Sequence, residues 1–332
     1  ITKNKTSIKS LLFFLFAFSS FFGTAQLSDL HYLPPMKQGQ NNAGIQNQAI
    51  YLSTPETTPF DVYVYRGTSN TIERTMTIDN LNPGVWTLGN GDNNITLVDN
   101  NNTGVVLTNS GLRFISANGE KFYVNYRGKS GSQAASLTAK GRQAMGTNFK
   151  WGGVPNKGTH SSKSNTLGIM ATEDNTTVVL SGYDPGCEFR VGGNRAGITA
   201  DSHTITLNAN ESFVYETYIG NTHTQAHEDG WIGASIVSTK DIVISNGSIN
   251  FGSQDGQSHR DAGIDQPVAI NKLGKEYVFI RGNGNTNGLT EFPLVIATAD
   301  NTHIYVNGST TAIATINNGE YFKIPSSYYS SN

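Results

Sequence analysis

The strongest constraint on the fold of this chain is an internal repeat. The segment Ala-Thr-Glu-Asp-Asn-Thr-Thr-Val at residues 171–178 recurs 126 positions later as Ala-Thr-Ala-Asp-Asn-Thr-His-Ile, with five of eight residues identical. A second shared element follows each copy, at residues 206–213 and 315–322. Repetition at a fixed spacing indicates duplicated modules, each of which should form the same supersecondary unit.

A first copy is present in a more diverged form. Residues 118–122 match residues 318–322 at four of five places, and residues 52–64 occupy the place of the Ala-Thr-x-Asp-Asn-Thr element. We therefore predict three copies that begin near residues 50, 168 and 294. The predicted domains are a first β-module over 26–165, a second over 166–293, and the start of a third, truncated module over 294–332. We expect the natural chain to continue beyond this point.

The local pattern within each copy is that of β-hairpins. Apolar residues alternate with polar ones in short runs, and Asn, Asp and Gly stand between the runs at 174–175, 240–241, 300–301 and 318–319. Strands are expected at residues 60–65, 122–126, 178–180, 204–207, 232–237, 241–244, 277–280, 294–297 and 304–306. A segment rich in Ala, Gln and Lys near 132–146 predicts one short helix.

These patterns predict an all-β fold of repeated antiparallel, β-sandwich-like modules with that one short helix. A β-propeller is the alternative, because radial repetition also protects edge strands.

The beginning of the chain has the features of an export signal. Lys3, Lys5 and Lys9 precede an apolar run over 11–22, and small residues follow at 23–25, so residues 1–25 are predicted to be a secretory signal peptide. The rest carries 20 basic and 25 acidic residues, a formal charge of −5, which argues against nucleic-acid binding. No later apolar stretch has the length of a transmembrane segment.

Motifs that could carry chemistry are incomplete. His223 and His227 are four apart, but in a β and loop context that spacing need not present both rings to one metal ion. Residues 99–104 resemble the first half of a calcium loop, yet Ser110 stands where a bidentate Glu is needed, so a hairpin turn is favoured. The Gly- and Asn-rich residues 282–288 lack the spacing of a phosphate-binding loop and are predicted to be a hairpin loop.

The remaining candidates also favour structural roles. Cys187 follows a turn and has no neighbouring base in the sequence, so we predict an unreactive thiol. Three glutamates recur at one place in the repeat and are predicted to stabilise its turn: Glu120, Glu211 and Glu320. Asp174 and Asp300 are predicted to hold their own turns by accepting backbone N–H groups two residues on, with calcium or ligand contact as the alternative. No catalytic, cofactor-binding or metal-binding residue is therefore predicted.

Longer motifs carry a family resemblance. The run Asp-Gly-Trp-Ile-Gly-Ala-Ser-Ile-Val-Ser at 229–238, the segment Arg-Asp-Ala-Gly-Ile-Asp-Gln-Pro at 260–267 and Lys-Leu-Gly-Lys-Glu-Tyr-Val at 272–278 resemble the IgGFc-binding protein N-terminal domain family. The chain is most similar to the bacterial branch found in gliding-motility-associated surface proteins exported by type IX secretion. The resemblance covers nearly all of residues 30–325. The animal members are cysteine-rich here whereas this chain has Cys187 alone, so the resemblance does not imply immunoglobulin binding.

The resemblance implies a non-enzymatic, secreted or cell-surface adhesion module, the N-terminal part of a larger bacterial surface protein that binds an extracellular glycan or protein. The alternative is a carbohydrate-binding module or a secreted carbohydrate-active enzyme. That alternative depends on aromatic side chains that could stack on sugar rings, namely Trp86, Trp151, Trp231, Tyr328 and Tyr329.

Overall fold

A computed structural model describes residues 26–39, 45–130, 133–220, 224–252, 261–282 and 292–329. The predicted signal peptide lies outside these residues. The described chain forms twenty-two β-strands, one α-helix of four residues and four 3₁₀ helices, so the predicted all-β class is confirmed. In this part of the chain, no helix is long and apolar enough to cross a bilayer.

Two four-stranded antiparallel sheets, with strands between residues 30 and 139, form a sandwich that we call the first module. In spatial order, the first sheet contains β1 (Leu30–Leu33), β7 (Leu112–Ser116), β3 (Phe60–Arg66) and β4 (Ile72–Ile78). The second sheet contains β5 (Gly84–Gly89), β2 (Gln46–Ser53), β8 (Tyr123–Ser130) and β9 (Gln133–Ala139). The facing sheets confirm the sandwich-like prediction over the propeller.

The core of this sandwich follows from period-two alternation. Phe60, Val62 and Val64 on β3 are buried, while Asp61 and Tyr63 between them are only half-buried. Because successive strand residues point to opposite faces, one side of each strand fills the space between the sheets.

A larger, curved sheet, which we call the second module, also takes β6 (Val106–Leu107) and β10 (Gly146–Lys150) from within residues 26–165. Its strand order is β15 (Ser202–Leu207), β12 (Thr176–Ser181), β17 (Ser235–Phe251), β11 (Ser164–Ala171), β16 (Ser212–Tyr218) and β6. β10 and β18 (Asp261–Asp265) also pair with β17. A separate hairpin joins β13 (Phe189–Val191) to β14 (Asn194–Ile198). The α-helix, α1, spans Ala226–Asp229.

β17 corrects a predicted turn. The sequence places a turn at residues 240–241, but β17 continues through it as one strand. Residues 235–238 pair with β12, and residues 242–250 pair with β11. β17 therefore pairs first with β12 and then with β11. The stabilisation from pairing with these two strands outweighs the local turn propensity of Lys240 and Asp241.

The predicted helix near 132–146 is wrong. This segment forms β9, followed by a 3₁₀ helix at Gly141–Ala144. Ala135, Leu137 and Ala139 are buried at every second position, and β9 pairs with β8. Burying one side of a strand against the core outweighs the helix propensity of Ala and Gln here.

Two pairs of short antiparallel strands lie in the region predicted to be the start of the third copy. β19 (Leu294–Ile296) pairs with β22 (Tyr321–Lys323), and β20 (Thr302–Ile304) pairs with β21 (Ala314–Ile316). The strand predicted at 277–280 is wrong for this structure, because this segment is exposed and pairs with no strand in the described chain. The other 3₁₀ helices are Asn100–Asn102, Ile270–Lys272 and Ser326–Tyr328.

Buried charges join the first two modules. Lys37 of the first module and Glu216 on β16 are both fully buried, and Glu216 forms an ion pair with the equally buried Arg190. The Lys37 ammonium lies 3.7 Å from Asp92 and donates to the Gln38 carbonyl oxygen at 2.6 Å. Burial lowers the pKa of Lys37, and the neighbouring Glu216 and Asp92 oppose that shift. The two modules thus meet across compensated charges that water does not reach.

His31 gives the first module a specific response to acid. Its ring is buried against Phe122, and Nε2 donates to the Phe122 carbonyl oxygen at 2.9 Å. Burial lowers the pKa of His31 from 6.5 to about 4. Between these values the unfolded chain binds a proton that the folded protein excludes, so stability falls with falling pH.

We expect His31→Gln to remove this part of the acid sensitivity, because an amide can keep the hydrogen bond but does not titrate in this range. A 2.5-unit difference in pKa corresponds to about 3 kcal/mol of unfolding free energy between pH 6.5 and pH 4. Urea titrations at several pH values measure this slope. The exposed His303→Gln is the control and should retain the wild-type slope; an unchanged slope in His31→Gln would contradict the prediction.

Candidate functional site

The outward side of the second sheet carries aromatic and charged side chains. We call it the Tyr51 face, and it consists of Tyr51, Val85, Tyr123, Asn125, Arg127, Ser136 and Thr138. Tyr51 lies opposite Val85 on β5 and opposite Asn125 on β8. The exposed fraction is 37% for Tyr51 and for Tyr123, and 49% for Val85.

Neighbouring contacts fix the geometry of this face. The Arg127 guanidinium lies over the Tyr51 ring, 5.0 Å from its centroid, which is a cation–π arrangement. Arg127 Nε also donates to Asn125 Oδ1 at 2.5 Å. The amide of Asn125 donates in turn to Ser136 Oγ at 3.2 Å and to Thr138 Oγ1 at 2.9 Å. The Arg127 guanidinium is therefore held in place by side chains of the three adjacent strands β2, β8 and β9.

Such a surface is suited to binding. Tyrosine and arginine are enriched among residues that carry most of the energy at protein interfaces, and a preorganised side chain loses less entropy when a partner binds. Sequence reasoning missed these residues. The signal available to it was the alternation in β2, where Tyr51 stands between the buried Ile50 and Leu52.

Two of the aromatic residues proposed for sugar stacking form the core instead. Trp151 and Trp231 are fully buried and stack on each other, with ring centroids 4.3 Å apart. Trp86 is half-buried against the core of the first module, and the guanidinium of Arg74 lies 5.9 Å from its ring centroid.

Tyr328 and Tyr329 lie at the end of the third copy. Tyr328 is exposed beside a shallow, open depression lined also by Val306, Asn307 and Ile313. Tyr329 is half-buried. The structure thus brings none of the five proposed aromatics together on one exposed platform among the described residues.

The histidine pair is not assembled as the spacing suggested. His223 lies outside the described residues, and His227 is in α1, within a segment that the sequence analysis took to be loop. His227 Nε2 accepts from Glu188 N at 2.9 Å, and Nδ1 donates to the Tyr218 carbonyl oxygen at 2.8 Å. Both ring nitrogens therefore hold the backbone around α1.

The calcium-like loop and the cysteine have structural contacts. Asp99 caps the 3₁₀ helix at Asn100–Asn102, accepting from Asn102 N at 3.0 Å. The predicted hairpin turn is wrong, because β6, which follows this helix, pairs with the distant β16. Burial raises the pKa of the Cys187 thiol to about 12, so it remains protonated at neutral pH. Residues 283–288 of the predicted glycine-rich loop lie outside the described chain.

The recurrent glutamates stabilise turns as predicted. Each accepts a hydrogen bond from a backbone N–H in its own turn: Glu120 from Asn118 at 3.1 Å, Glu211 from Asn208 at 2.7 Å and Glu320 from Asn317 at 2.7 Å. A carboxylate that accepts a backbone N–H holds the turn in one conformation.

The repeated aspartates hold a turn, but not their own. Asp174 Oδ1 accepts from Ala209 N at 2.9 Å, and Asp300 Oδ1 accepts from Asn318 N at 3.1 Å, so each carboxylate links its turn to the next one. The predicted hydrogen bond from the backbone N–H two residues after each aspartate is therefore wrong. Asn175 and Asn301 take the left-handed conformation, which turns the chain so that each carboxylate faces the neighbouring turn instead.

We expect Asp174→Ala to lower the unfolding free energy by about 1 kcal/mol through loss of this one exposed hydrogen bond. Thermal melting and urea titration measure the change. Asp300→Ala is the matched variant in the other copy. An unchanged melting temperature in both variants, together with lost binding of calcium or another ligand, would favour the ligand role over the structural one.

Two neighbouring carboxylates share one cation. Lys157 Nζ lies 2.6 Å from Asp229 Oδ2 and 3.3 Å from Glu228 Oε2, and Tyr321 OH donates to Asp229 at 3.3 Å. Asp229 therefore links Tyr321 to the second module, whereas Glu228 also accepts from Gly158 N at 3.2 Å and from Gln225 Nε2 at 2.6 Å. Paired acid and base groups of a glycosidase would instead flank an open cleft.

Comparison with known proteins extends this picture. The family model described as IgGFc binding protein matches residues 134–332, which include β9 and the second and third copies. No curated protein and no solved structure matches the chain.

Proposed function

The chain belongs to the IgGFc binding protein family, and we propose that it is a non-enzymatic module that binds an extracellular protein. We place the contact at the Tyr51 face on the geometry of that face alone, because Tyr51, Tyr123 and Arg127 precede the matched residues 134–332. The observation that carries this proposal is the exposed, stacked pair of Tyr51 and Arg127 on an open sheet. Tyr123 and Val85 extend the pair into an apolar patch.

A protein partner accounts for this face better than a glycan does. Sugar rings stack on open aromatic faces, whereas the guanidinium of Arg127 already lies over one face of the Tyr51 ring. A guanidinium backed by an aromatic ring is a frequent anchor at protein interfaces. The burial of Trp151 and Trp231 removes two further candidates for sugar stacking.

The setting we propose is the cell surface or the extracellular medium. Domains of this family are typically extracellular, and residues 1–25 have the composition of a signal peptide. We further propose that the chain belongs to the bacterial branch, is part of a larger gliding-motility-associated adhesin, and is exported by type IX secretion.

The test measures binding of residues 26–332 to two sets of probes: purified extracellular proteins, namely IgG Fc, fibronectin and collagen, and an array of free glycans. We expect binding to a protein probe. In the double variant Tyr51→Ala/Arg127→Ala this binding should weaken at least about tenfold, since aromatic and arginine anchors carry most of the energy of such interfaces.

The matched control is Tyr65→Ala/Arg113→Ala, which removes an equivalent stack, 4.8 Å from guanidinium to ring centroid, from the first sheet. This variant should bind as the wild type does. Protein binding that survives the loss of Tyr51 and Arg127, binding to glycans alone, or no binding to either set would each count against the proposal.

A further inference from the structure

The ion pair between Lys37 and Asp92 lies out of reach of water. Both side chains are fully buried, and Lys37 Nζ is 3.7 Å from Asp92 Oδ2. In the ion pair of Lys157 with Asp229 the two atoms are closer, at 2.6 Å, but the side chains are 27% and 26% exposed. The cost of burying two charges is offset only by excellent hydrogen-bond geometry, and 3.7 Å is longer than a hydrogen bond. The two charges of Lys37 and Asp92 therefore face each other in a dry environment without the short contact that would stabilise them.

Neighbouring hydrogen bonds hold these two groups in place. Lys37 Nζ donates to the Gln38 carbonyl oxygen at 2.6 Å, and Gln38 Nε2 donates to Asp92 Oδ1 at 2.6 Å. The backbone N of Lys37 donates to Thr166 Oγ1 on β11 at 2.9 Å. Two reacting groups that are held together in this way behave as if each were present at about 10⁵–10⁸ M. Nζ needs only a small movement of its side chain to reach Cγ, the carboxyl carbon of Asp92.

A second carboxyl group, that of Glu216, lies in the same buried cluster. Glu216 on β16 is directly opposite Thr166 on β11, so its side chain is on the face of the sheet that meets Lys37. Its Oε2 atom accepts from Arg190 Nε, and Oε1 is buried without a hydrogen-bond partner among the described residues. Burial lowers the pKa of Lys37, and of the charges that oppose this shift Glu216 is the strongest, ahead of Asp92. An amine and two carboxyl groups therefore meet in one dry cluster.

The burial that excludes water also prepares these groups for reaction. The lowered pKa of Lys37 favours the neutral amine, which is the nucleophilic form of a lysine. Burial raises the pKa of Glu216, and the neighbouring Arg190 and Lys37 oppose that shift. A carboxyl group whose pKa is raised toward neutral pH can both accept and return a proton during a reaction.

We propose that Lys37 and Asp92 join through an intramolecular isopeptide bond, with Glu216 passing protons between them. The bond between Lys37 Nζ and Asp92 Cγ forms, and one Cγ–O bond of Asp92 breaks. Of the three protons of the Lys37 ammonium, one stays on the amide nitrogen and two leave with the released oxygen as water. Glu216 takes a proton from the nitrogen and delivers it to that oxygen, so it ends the reaction unchanged. The condensation requires no oxidant and no activating co-reactant.

The surroundings favour the condensed form. The amide replaces two buried charges with one neutral group, which removes the cost of keeping both ions away from water. Exclusion of water also protects the new bond from hydrolysis. The bond closes a loop over residues 37–92 and ties the segment after β1 to the segment after β5. The 332 residues contain one cysteine, Cys187, so no disulfide within them can supply such a cross-link.

The first test is the intact mass of the purified protein. We expect a mass lower by one water molecule than the mass calculated from the sequence. Tandem mass spectrometry of a proteolytic digest should find the peptide that contains Lys37 joined to the peptide that contains Asp92. The partly exposed pair of Lys157 and Asp229 is the internal control and should remain unlinked. The variants Lys37→Met and Asp92→Ala should each have the full mass calculated from their sequences.

A second pair of variants tests the role of Glu216. Glu216→Gln keeps an oxygen that can accept from Arg190 but cannot carry the proton, so the condensed fraction should fall at least about tenfold. The matched control is Glu228→Gln, which changes another buried carboxylate and should retain the wild-type fraction. Circular dichroism shows whether each variant is folded.

Three results would overturn the proposal. They are the full mass in the wild-type protein, a loss of water without a link between Lys37 and Asp92, and an undiminished condensed fraction in folded Glu216→Gln. The first two are measured on the wild-type protein, so they do not depend on whether a variant folds.

Discussion

Glu216→Ala is expected to lower the unfolding free energy by about 3–5 kcal/mol, because removing one partner from a buried ion pair leaves the other charge uncompensated. Glu216 is fully buried and pairs with Arg190, while Lys37 lies in the same buried cluster. Burial raises the pKa of the Glu216 carboxyl, and the two cations oppose that shift. Urea denaturation of residues 26–332 at neutral pH measures the loss.

Two further variants separate this effect from general damage. The double variant Glu216→Leu/Arg190→Leu should recover much of the loss, since replacing both members of a buried pair with apolar groups is often neutral. Glu173→Ala removes an exposed carboxylate and should change stability by less than about 0.5 kcal/mol. A loss below about 1 kcal/mol in Glu216→Ala would show that the cluster contributes little to the junction of the modules.

Trp231→Ala is expected to cost about 3–5 kcal/mol, as is typical when a large buried aromatic side chain is removed. Its ring is fully buried, stacks on Trp151 and meets Phe189 edge-on at 5.1 Å. Chemical denaturation and near-ultraviolet circular dichroism should show a loosened core in the second module.

Trp231→Phe is the matched variant. In the described structure the indole Nε1 has no hydrogen-bond partner, so Phe removes volume without breaking a bond and should cost about 1–2 kcal/mol. Unchanged stability of Trp231→Ala together with lost glycan binding would contradict the core assignment and revive the sugar-stacking alternative.

The sequence predicted those features whose cause is local. Alternation of apolar and polar residues placed β3 at 60–65, because a strand presents successive side chains to opposite faces. The repeat placed Glu211 and Glu320 in equivalent turns. Each carboxylate accepts a hydrogen bond from a backbone N–H only three residues before it in the chain. Asn175 and Asn301 have the positive φ that the turn prediction required.

Features that depend on distant partners could not be read from the same patterns. The acceptor role of Asp174 involves Ala209, 35 positions away, and the Tyr51 face requires β2 and β8 to be neighbours before Arg127 can lie over Tyr51. Strand pairing of this kind is fixed by burial across the whole module, which a local window of sequence does not contain.

By itself, the sequence determined the all-β class, the repeat and the turns that recur within it, because these follow from side-chain periodicity and from short-range hydrogen bonds. Only the tertiary structure decided that 133–139 is a strand and that β17 continues through 240–241. The reason is that a β-strand is stabilised by a neighbour supplied from elsewhere in the chain. Where that neighbour is present, as β8 is for β9 and β11 is for β17, strand pairing overrides local propensity.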